Sequence, residues 1–306
     1  MTKKNVLEMI RIVFKHIEML FIQTFGKRSF GGTENLNLED ANSYLGESIK
    51  SKRPFCAIRM GFSELEINYD VDKHCKYPKY TKPHEKWIEI LESEEGIEKY
   101  HQLIIDAYQN SDLITSWYSS RNEAELIKAY GKLARITGAE VVEPYYFEHP
   151  WSAALEGKKV LVLSPFSQDI KRQYEKRTLL FSNDVLPKMD LITLDSIWYI
   201  HGVRNENYKD WFEALEYLKS EISKIDFDVA LLGCGTFGTP LVKYIKDLGK
   251  QAIYMGGAIQ VLFGIKGKRW DKNPDVSKLY NEHWIYLPDS SLPKGGEALD
   301  KGCYWK

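Results

Sequence analysis

Little in this chain marks it as metal-stapled, disulfide-stapled or nucleic-acid-coating. Four cysteines, Cys56, Cys75, Cys234 and Cys303, stand among 306 residues with no C-x-x-C spacing and no histidine at zinc-finger distance, so nothing supports a structural zinc site. Reduced thiols in a cytoplasm are the simplest reading. An excess of charge of either sign is also missing. The 42 Lys and Arg residues face 43 Asp and Glu, a formal net charge of −1, which removes any global attraction to nucleic acid and disfavours a DNA-binding role. There is no internal repeat and no low-complexity tract. What remains is ordinary for a folded protein: 43% hydrophobic and 28% charged residues, on a chain long enough for one large or two medium domains. The aromatic share, 13% with 19 Tyr and 8 Trp, is high enough to suit stacking on sugars or bases as well as filling a core.

The N-terminus departs from that average. Leu7, Ile10, Phe14, Ile17 and Phe21 follow steps of three and four, and Lys3, Lys4, Arg11, Lys15, Lys27 and Arg28 add positive charge. The pattern predicts a basic amphipathic helix over residues 1–30. Arg11, Lys15 and Glu18 interrupt any apolar core of a signal peptide, and the segment is too short and too charged to span a bilayer. Two uses fit it: docking on the protein or a partner, or lying on an anionic membrane surface at the inner face of the membrane.

Residues 27–37, with Gly31-Gly32, read as a linker, and the folded region runs over 38–306. Apolar runs of strand length recur at 55–58, 113–117, 141–147, 160–163, 191–194, 229–232 and 252–255. Helical patterns lie between them at 39–51, 84–109, 122–135, 206–224 and 238–248. This alternation predicts a doubly wound, Rossmann-like α/β fold, a mostly parallel sheet with helices on both faces. Residues 70–84, rich in Lys, Tyr and Pro, have no period and read as a loop. Pro144, Pro150 and Glu156-Gly157-Lys158 mark a soft hinge near 150–158.

The Gly-rich turn Gly233-Cys234-Gly235-Thr236-Phe237-Gly238 has the best physical case for binding. It follows a buried run at once and precedes a helix, so its glycines permit close approach of a ligand and the helix N-terminus offers free N–H groups to a phosphate. A tight turn needed only for helix–sheet packing is the competing reading. A nicotinamide dinucleotide would also need an acidic residue about 20 positions on. The corresponding strand ends Tyr254-Met255-Gly256-Gly257, without a carboxylate. NAD binding is therefore a runner-up.

Other strand ends carry polar groups. Arg59-Met60-Gly61-Phe62-Ser63-Glu64 follows the first core strand, where ligands of open α/β sheets sit. Arg59 suits a phosphate or carboxylate, and Glu64 suits a base or a metal ligand; the bland alternative is an Arg–Glu pair that caps the helix. Ser116, Ser164 and Asp195-Ser196 end further strands; several of them converging on one edge would make a site, and each singly reads as a helix cap. Asp195 with His201 makes no triad by spacing. The stretch Gly256 to Trp270 starts at a strand end, passes through a short apolar helix containing Gln260, and leaves in a basic loop. There Lys266, Lys268 and Arg269 suit a diphosphate, or simply a solvated loop.

Several segments together resemble a largely uncharacterised bacterial family associated with capsular or exopolysaccharide synthesis. They are Glu143-Pro144-Tyr145, Trp151, Gly157 to Val162, Ser164-Pro165-Phe166, Asp226-Phe227-Asp228, the 233–238 turn with Pro240-Leu241, and Gly256 to Trp270. The resemblance covers residues 50–306. More distantly, Arg59-x-Gly61-x-x-Glu64 and the late Gly-rich turn are similar to GT-D-type glycosyltransferases. That likeness implies a nucleotide-sugar donor and an Asp-x-Glu pair holding Mn²⁺ or Mg²⁺. Glu64 stands at the Glu of the pair, and Phe62 stands where the family has Asp.

These readings converge on a glycosyltransferase that moves a sugar from a nucleotide-sugar donor to a surface-polysaccharide, glycan or lipid-linked acceptor. Glu64 and Arg59 are its expected catalytic residues, Glu64 its metal ligand, and Gly233, Gly235, Thr236, Gly238, Ser164, Gln260, Lys266 and Arg269 its nucleotide site. The alternatives are a non-catalytic nucleotide- or glycan-binding component of polysaccharide assembly, which Phe62 favours, and an NAD-dependent oxidoreductase.

Overall fold

The computed structural model describes residues 32–74, 90–118, 121–199, 206–291, 293, 296 and 302–305. The expected amphipathic helix over 1–30 lies outside them, as do most of the expected 70–84 loop and His201. No helix among the described residues is long and apolar enough to cross a membrane.

Eight parallel strands form one sheet: β1 (Glu34–Asn35), β2 (Phe55–Arg59), β3 (Leu113–Ser116), β4 (Arg135–Gly138), β5 (Lys159–Ser164), β6 (Asp190–Asp195), β7 (Val229–Leu232) and β8 (Gln251–Tyr254). Their spatial order is β1-β4-β3-β2-β8-β7-β5-β6. The long helices are α1 (Leu38–Ser51), α2 (Phe62–His74), α3 (Glu94–Asn110), α4 (Arg121–Tyr130), α5 (Ser167–Tyr174), α6 (Trp211–Ser223) and α7 (Gly238–Asp247), with the short α8 (Ala258–Leu262) after β8.

Strand alternation divides the core. Cys56, Ile58, Leu161, Leu163, Ala230 and Leu232 face a layer that includes Tyr100, Trp211, Leu241 and Ile245. Phe55, Ala57, Val160, Val162, Val229 and Leu231 face the opposite layer, with Leu45, Trp151, Ile170 and Val261. Strands β2, β3, β5, β7 and β8 are thus covered on both sides, and their continuous apolar runs follow from that double burial, whereas the edge strands β1 and β6 are more exposed. The doubly wound, Rossmann-like expectation holds, with every pairing in the sheet parallel.

Three local expectations are corrected. Residues 141–147 do not form a strand. They lie in short 3-10 turns, Ala139–Val142 and Pro144–Tyr146, because Pro144 lacks a ladder donor and the buried Val141, Val142 and Tyr145 pack on α1 and its neighbours. The strand is instead Arg135–Gly138, within and just past the end of the expected 122–135 helix. That helix stops at Tyr130 because Gly131 packs so tightly that a Cβ there would lie 2.4 Å from Ile114 Cδ1. Residues 70–74 are helical, the end of α2. Its apolar period is broken by buried Asn68, whose amide donates to Glu64 O at 2.7 Å and whose Oδ1 lies 2.9 Å from His101 Nδ1.

Candidate functional site at the switch point of the sheet

β5 and β7 are neighbours, but the chain leaves β5 outward to β6 and leaves β7 inward to β8. Diverging connections open a crevice at the carboxyl ends of such strands. A pocket lies there, built from Pro165 and Phe166 after β5, Ser196 to Tyr199 after β6, Gly233 to Phe237 after β7, and Gly256, Gly257, Ile259 and Gln260 after β8. Its volume is about 140 Å³, close to the roughly 150 Å³ that takes up one benzene-sized ring.

The three glycines of the turn do different work. A Cβ at Gly233 would lie 2.3 Å from Ile259 Cγ2 and 2.8 Å from the Gly256 carbonyl, and one at Gly238 would lie 2.3 Å from the Tyr254 ring. Packing requires glycine at both positions. Gly235 has φ +58° and open space where a Cβ would stand, so it faces the pocket in a left-handed conformation that favours glycine. Behind the turn, α7 begins at Gly238, and Thr239 Oγ1 ties that first turn to Arg59 O at 2.8 Å. Thr236 Oγ1 accepts from Trp211 Nε1 at 2.9 Å, and Tyr254 donates its hydroxyl to Gly235 O at 2.7 Å.

The roof comes from the C-terminal segment. Lys268 N donates to Trp305 O and Arg269 N to Cys303 O, both at 3.0 Å, which lays Tyr304 over the pocket. Tyr304 O accepts from Gln260 Nε2 at 2.7 Å, and Lys266 O accepts from the same nitrogen at 3.1 Å. Two carbonyl partners fix which end of this buried amide is nitrogen, and Oε1 is left with no partner. Ser196 Oγ is likewise buried and unpartnered. An unsatisfied buried polar atom costs about 1–3 kcal/mol, a cost that a bound ligand relieves.

The structure gathers Gly233, Gly235, Thr236 and Gln260 into one lining. Gly238 sits just behind it. Ser164 is fully buried at the end of β5, where its Oγ accepts from Phe166 N. Arg269 lies at the rim, its Nη1 2.9 Å from Tyr304 Oη and 3.2 Å from the position of a Cβ on Gly257. Lys266 turns away, with Nζ over the rings of Tyr280 and Tyr286 at 5.1 and 5.4 Å. Sequence reasoning missed the aromatic wall of Phe166, Trp198, Tyr199 and Tyr304, which comes from three separate segments. Ser196, read singly as a cap and with the other strand-end residues as part of one converging edge, is a lining residue.

Arg59 and Glu64 are one strand removed. Arg59 Nη1 donates to Met255 O at 2.9 Å, its guanidinium lies 4.3 Å from the Trp117 ring centroid, and a Cβ on Gly256 would be 3.9 Å from its Cζ. It therefore touches the pocket's edge from behind. Glu64 is 7% exposed and stands at the third position of α2, where Oε2 accepts from Gly61 N at 2.8 Å and closes a capping interaction. Oε1 accepts from Tyr100 Oη at 2.8 Å. Phe62 is 52% exposed and stacks on Trp117 at 5.2 Å. Among the described residues no three His, Cys, Asp or Glu side chains group as ion ligands. With both Glu64 oxygens engaged and an aromatic ring at position 62, the donor set for Mn²⁺ or Mg²⁺ does not fit here.

Burial raises the protonation range of Glu64 above its ordinary 4.5, against the Gly61 N–H, the Tyr100 hydroxyl and Arg59, which favour the carboxylate. The native state thus keeps a proton over an interval in which the unfolded chain has lost it. Stability from this group is highest at acid pH and falls as pH rises through the folded value. Glu64→Gln keeps an acceptor for Gly61 N–H and removes the titration. Its Tm relative to wild type is expected to climb as pH rises above the ordinary carboxylate value of 4.5. Parallel Tm curves would show that Glu64 does not titrate in the fold.

Fold and site together define a doubly wound α/β protein with a neutral, aromatic-walled pocket at its switch point. Against known proteins, no family model matches the chain, and no curated protein matches it. Two solved structures do, both of a domain of unknown function 1792. One, a selenomethionine form, has 14% identity and TM-score 0.47, covering 90% of this chain and 96% of that one. The other, described as having a distinct glycosyltransferase fold, has 15% identity and TM-score 0.46 over the same shares.

Proposed function

We propose that the protein is a glycosyltransferase that moves a sugar from a nucleotide-sugar donor to a surface-polysaccharide or glycan acceptor. The observation that carries this reading is the switch-point pocket itself, in which an open Gly235 turn at a helix N-terminus meets two unpartnered buried polar atoms, Ser196 Oγ and Gln260 Oε1. The polarity of these groups orders the ligand. Gln260 presents an acceptor, which repels an anion and takes an N–H or O–H of a neutral ring. The amides around Gly235, the start of α7 and Arg269 at the rim suit the diphosphate. The enclosed volume holds one ring, and the rest of the donor lies in the mouth. In transfer, amides and guanidinium stabilise the charge that develops on the leaving diphosphate. Among the described residues no carboxylate lines the pocket to hold a ribose diol, which keeps NAD in second place.

A thermal-shift screen of UDP-, GDP-, CMP- and dTDP-sugars, followed by a donor-hydrolysis assay, tests the reading. Ser196→Ala removes a hydroxyl that bonds nothing in the fold, so its stability is expected to match or exceed wild type while its affinity for the stabilising nucleotide sugar drops about tenfold, the loss of about one hydrogen bond. If no nucleotide sugar raises Tm, the proposal fails. Binding without hydrolysis or transfer would support the non-catalytic component instead.

A further inference from the structure

Ser196 Oγ and Gln260 Oε1 are buried without a partner, so the two groups best suited to bond a ligand are shut off from solvent in this arrangement. A wall must move before anything reaches them. Most of the walls belong to the core: Phe237 and Ile259 are buried, and Gly233 N donates to Leu163 O at 2.9 Å, in line with the sheet. Residues 302–305 are different. This strap lies over the pocket on few attachments: the Lys268 and Arg269 amides bonded to its carbonyls, the Gln260 amide on Tyr304 O, and the indole of Trp305, whose centroid is 5.8 Å from Phe166 and 5.7 Å from Trp198.

Two glycines make the seat of the strap. A Cβ on Gly257 would stand 3.3 Å from Tyr304 Cε1, and one on Gly267 would stand 2.9 Å from both Cys303 O and Tyr304 O. Gly267 has φ −167°, extended backbone that any residue adopts, so the strap and not the local conformation requires glycine there.

Tyr304 joins the strap to the site at two points. Its half-buried ring lines the pocket, beside the Arg269 guanidinium, whose Cζ is 5.2 Å from the ring centroid. Its carbonyl takes a Gln260 N–H and so leaves Oε1 as the end of the amide without a protein partner.

Resting on the donor-pocket reading, we infer that Tyr304 is a ligand-contacting residue, and that the strap 302–305 lifts to admit the donor and reseats over it. The seated strap orients Gln260 and completes the aromatic wall. A ring bound beneath Tyr304 in turn favours the seated strap, and by reciprocity each strengthens the other by the same factor.

The test uses whichever nucleotide sugar of the panel raises wild-type Tm most, and it follows the strap by hydrogen exchange. The Lys268 and Arg269 amides donate to strap carbonyls, so they exchange when the strap lifts. Saturating ligand is expected to slow them at least about tenfold, within the usual range of coupling between sites, and to slow the amides of α1, none of whose residues lines the pocket, far less. Gly267 also lies outside the lining, and Gly267→Ala presses a Cβ against two strap carbonyls. It should speed exchange at Lys268 and Arg269 and weaken ligand binding about tenfold. Tyr304→Ala should weaken binding by about tenfold, whereas Tyr304→Phe, which keeps the ring and loses only the hydroxyl that Arg269 meets, should stay within about threefold of wild type. Should Gly267→Ala fold poorly, the wild-type exchange response decides the matter. Lys268 and Arg269 amides no more responsive to ligand than those of α1, or wild-type affinity in Tyr304→Ala or Gly267→Ala, overturns the assignment and leaves the transferase reading standing. A panel in which no nucleotide sugar raises Tm overturns both.

Discussion

Trp211→Ala is expected to lower stability by about 3–5 kcal/mol, the range for emptying a large aromatic site, and Tm by on the order of 10 °C. Trp211 is fully buried at the start of α6, stacks on Phe237 with centroids 4.8 Å apart and planes 2° from parallel, and meets Tyr100 edge-on at 5.3 Å. The loss reaches the pocket because Phe237 belongs to its lining and Thr236 Oγ1 loses the indole N–H as its donor. Trp211→Phe separates the two effects. It keeps most of the stack and should cost about 1–2 kcal/mol, mainly the hydrogen bond and some volume. Chemical denaturation of both variants checks the order. Equal losses would show that the hydrogen bond, and not the packing, carries the site.

Gly233→Ala is the second large effect. The new Cβ meets a side-chain methyl at 2.3 Å and a backbone carbonyl at 2.8 Å, and a backbone oxygen cannot rotate away. Overpacking of this kind costs about 1–3 kcal/mol, sometimes more, and here it drives the turn after β7 away from the start of α8. Both are walls of the pocket, so donor binding should fall with stability. Gly235→Ala is the control. Its Cβ enters open space, and the residue bears only the left-handed strain of about 1–2 kcal/mol. If Gly233→Ala proves milder than Gly235→Ala, the packing account of the turn is wrong.

The Gly-rich turn illustrates how far reading residues goes. From the order of a buried run, glycines and a helical pattern, the strand–turn–helix unit and its place at a strand end follow, because local chemistry governs all three. Which glycine faces the ligand does not follow, since that depends on Ile259 and Tyr254, residues from the next unit of the fold. Glu64 shows the same division. A carboxylate three residues into a helix serves catalysis or capping equally well in one dimension. Tyr100, 36 residues on and brought over by α3, takes up the second oxygen.

The sequence by itself determined the doubly wound, mostly parallel α/β class, the approximate limits of most of its strands, and the absence of any charge imbalance or cysteine pattern that would demand another architecture. These depend on the period of apolar residues and on composition, which are local quantities. Tertiary structure alone decided the strand order that puts the switch point between β5 and β7, and the gathering of Ser196, Gln260 and Tyr304 around it. It also turned Lys266 outward, over the rings of Tyr280 and Tyr286. Each of these is a contact between segments far apart in the chain, fixed by how the layers pack and not by any spacing along it.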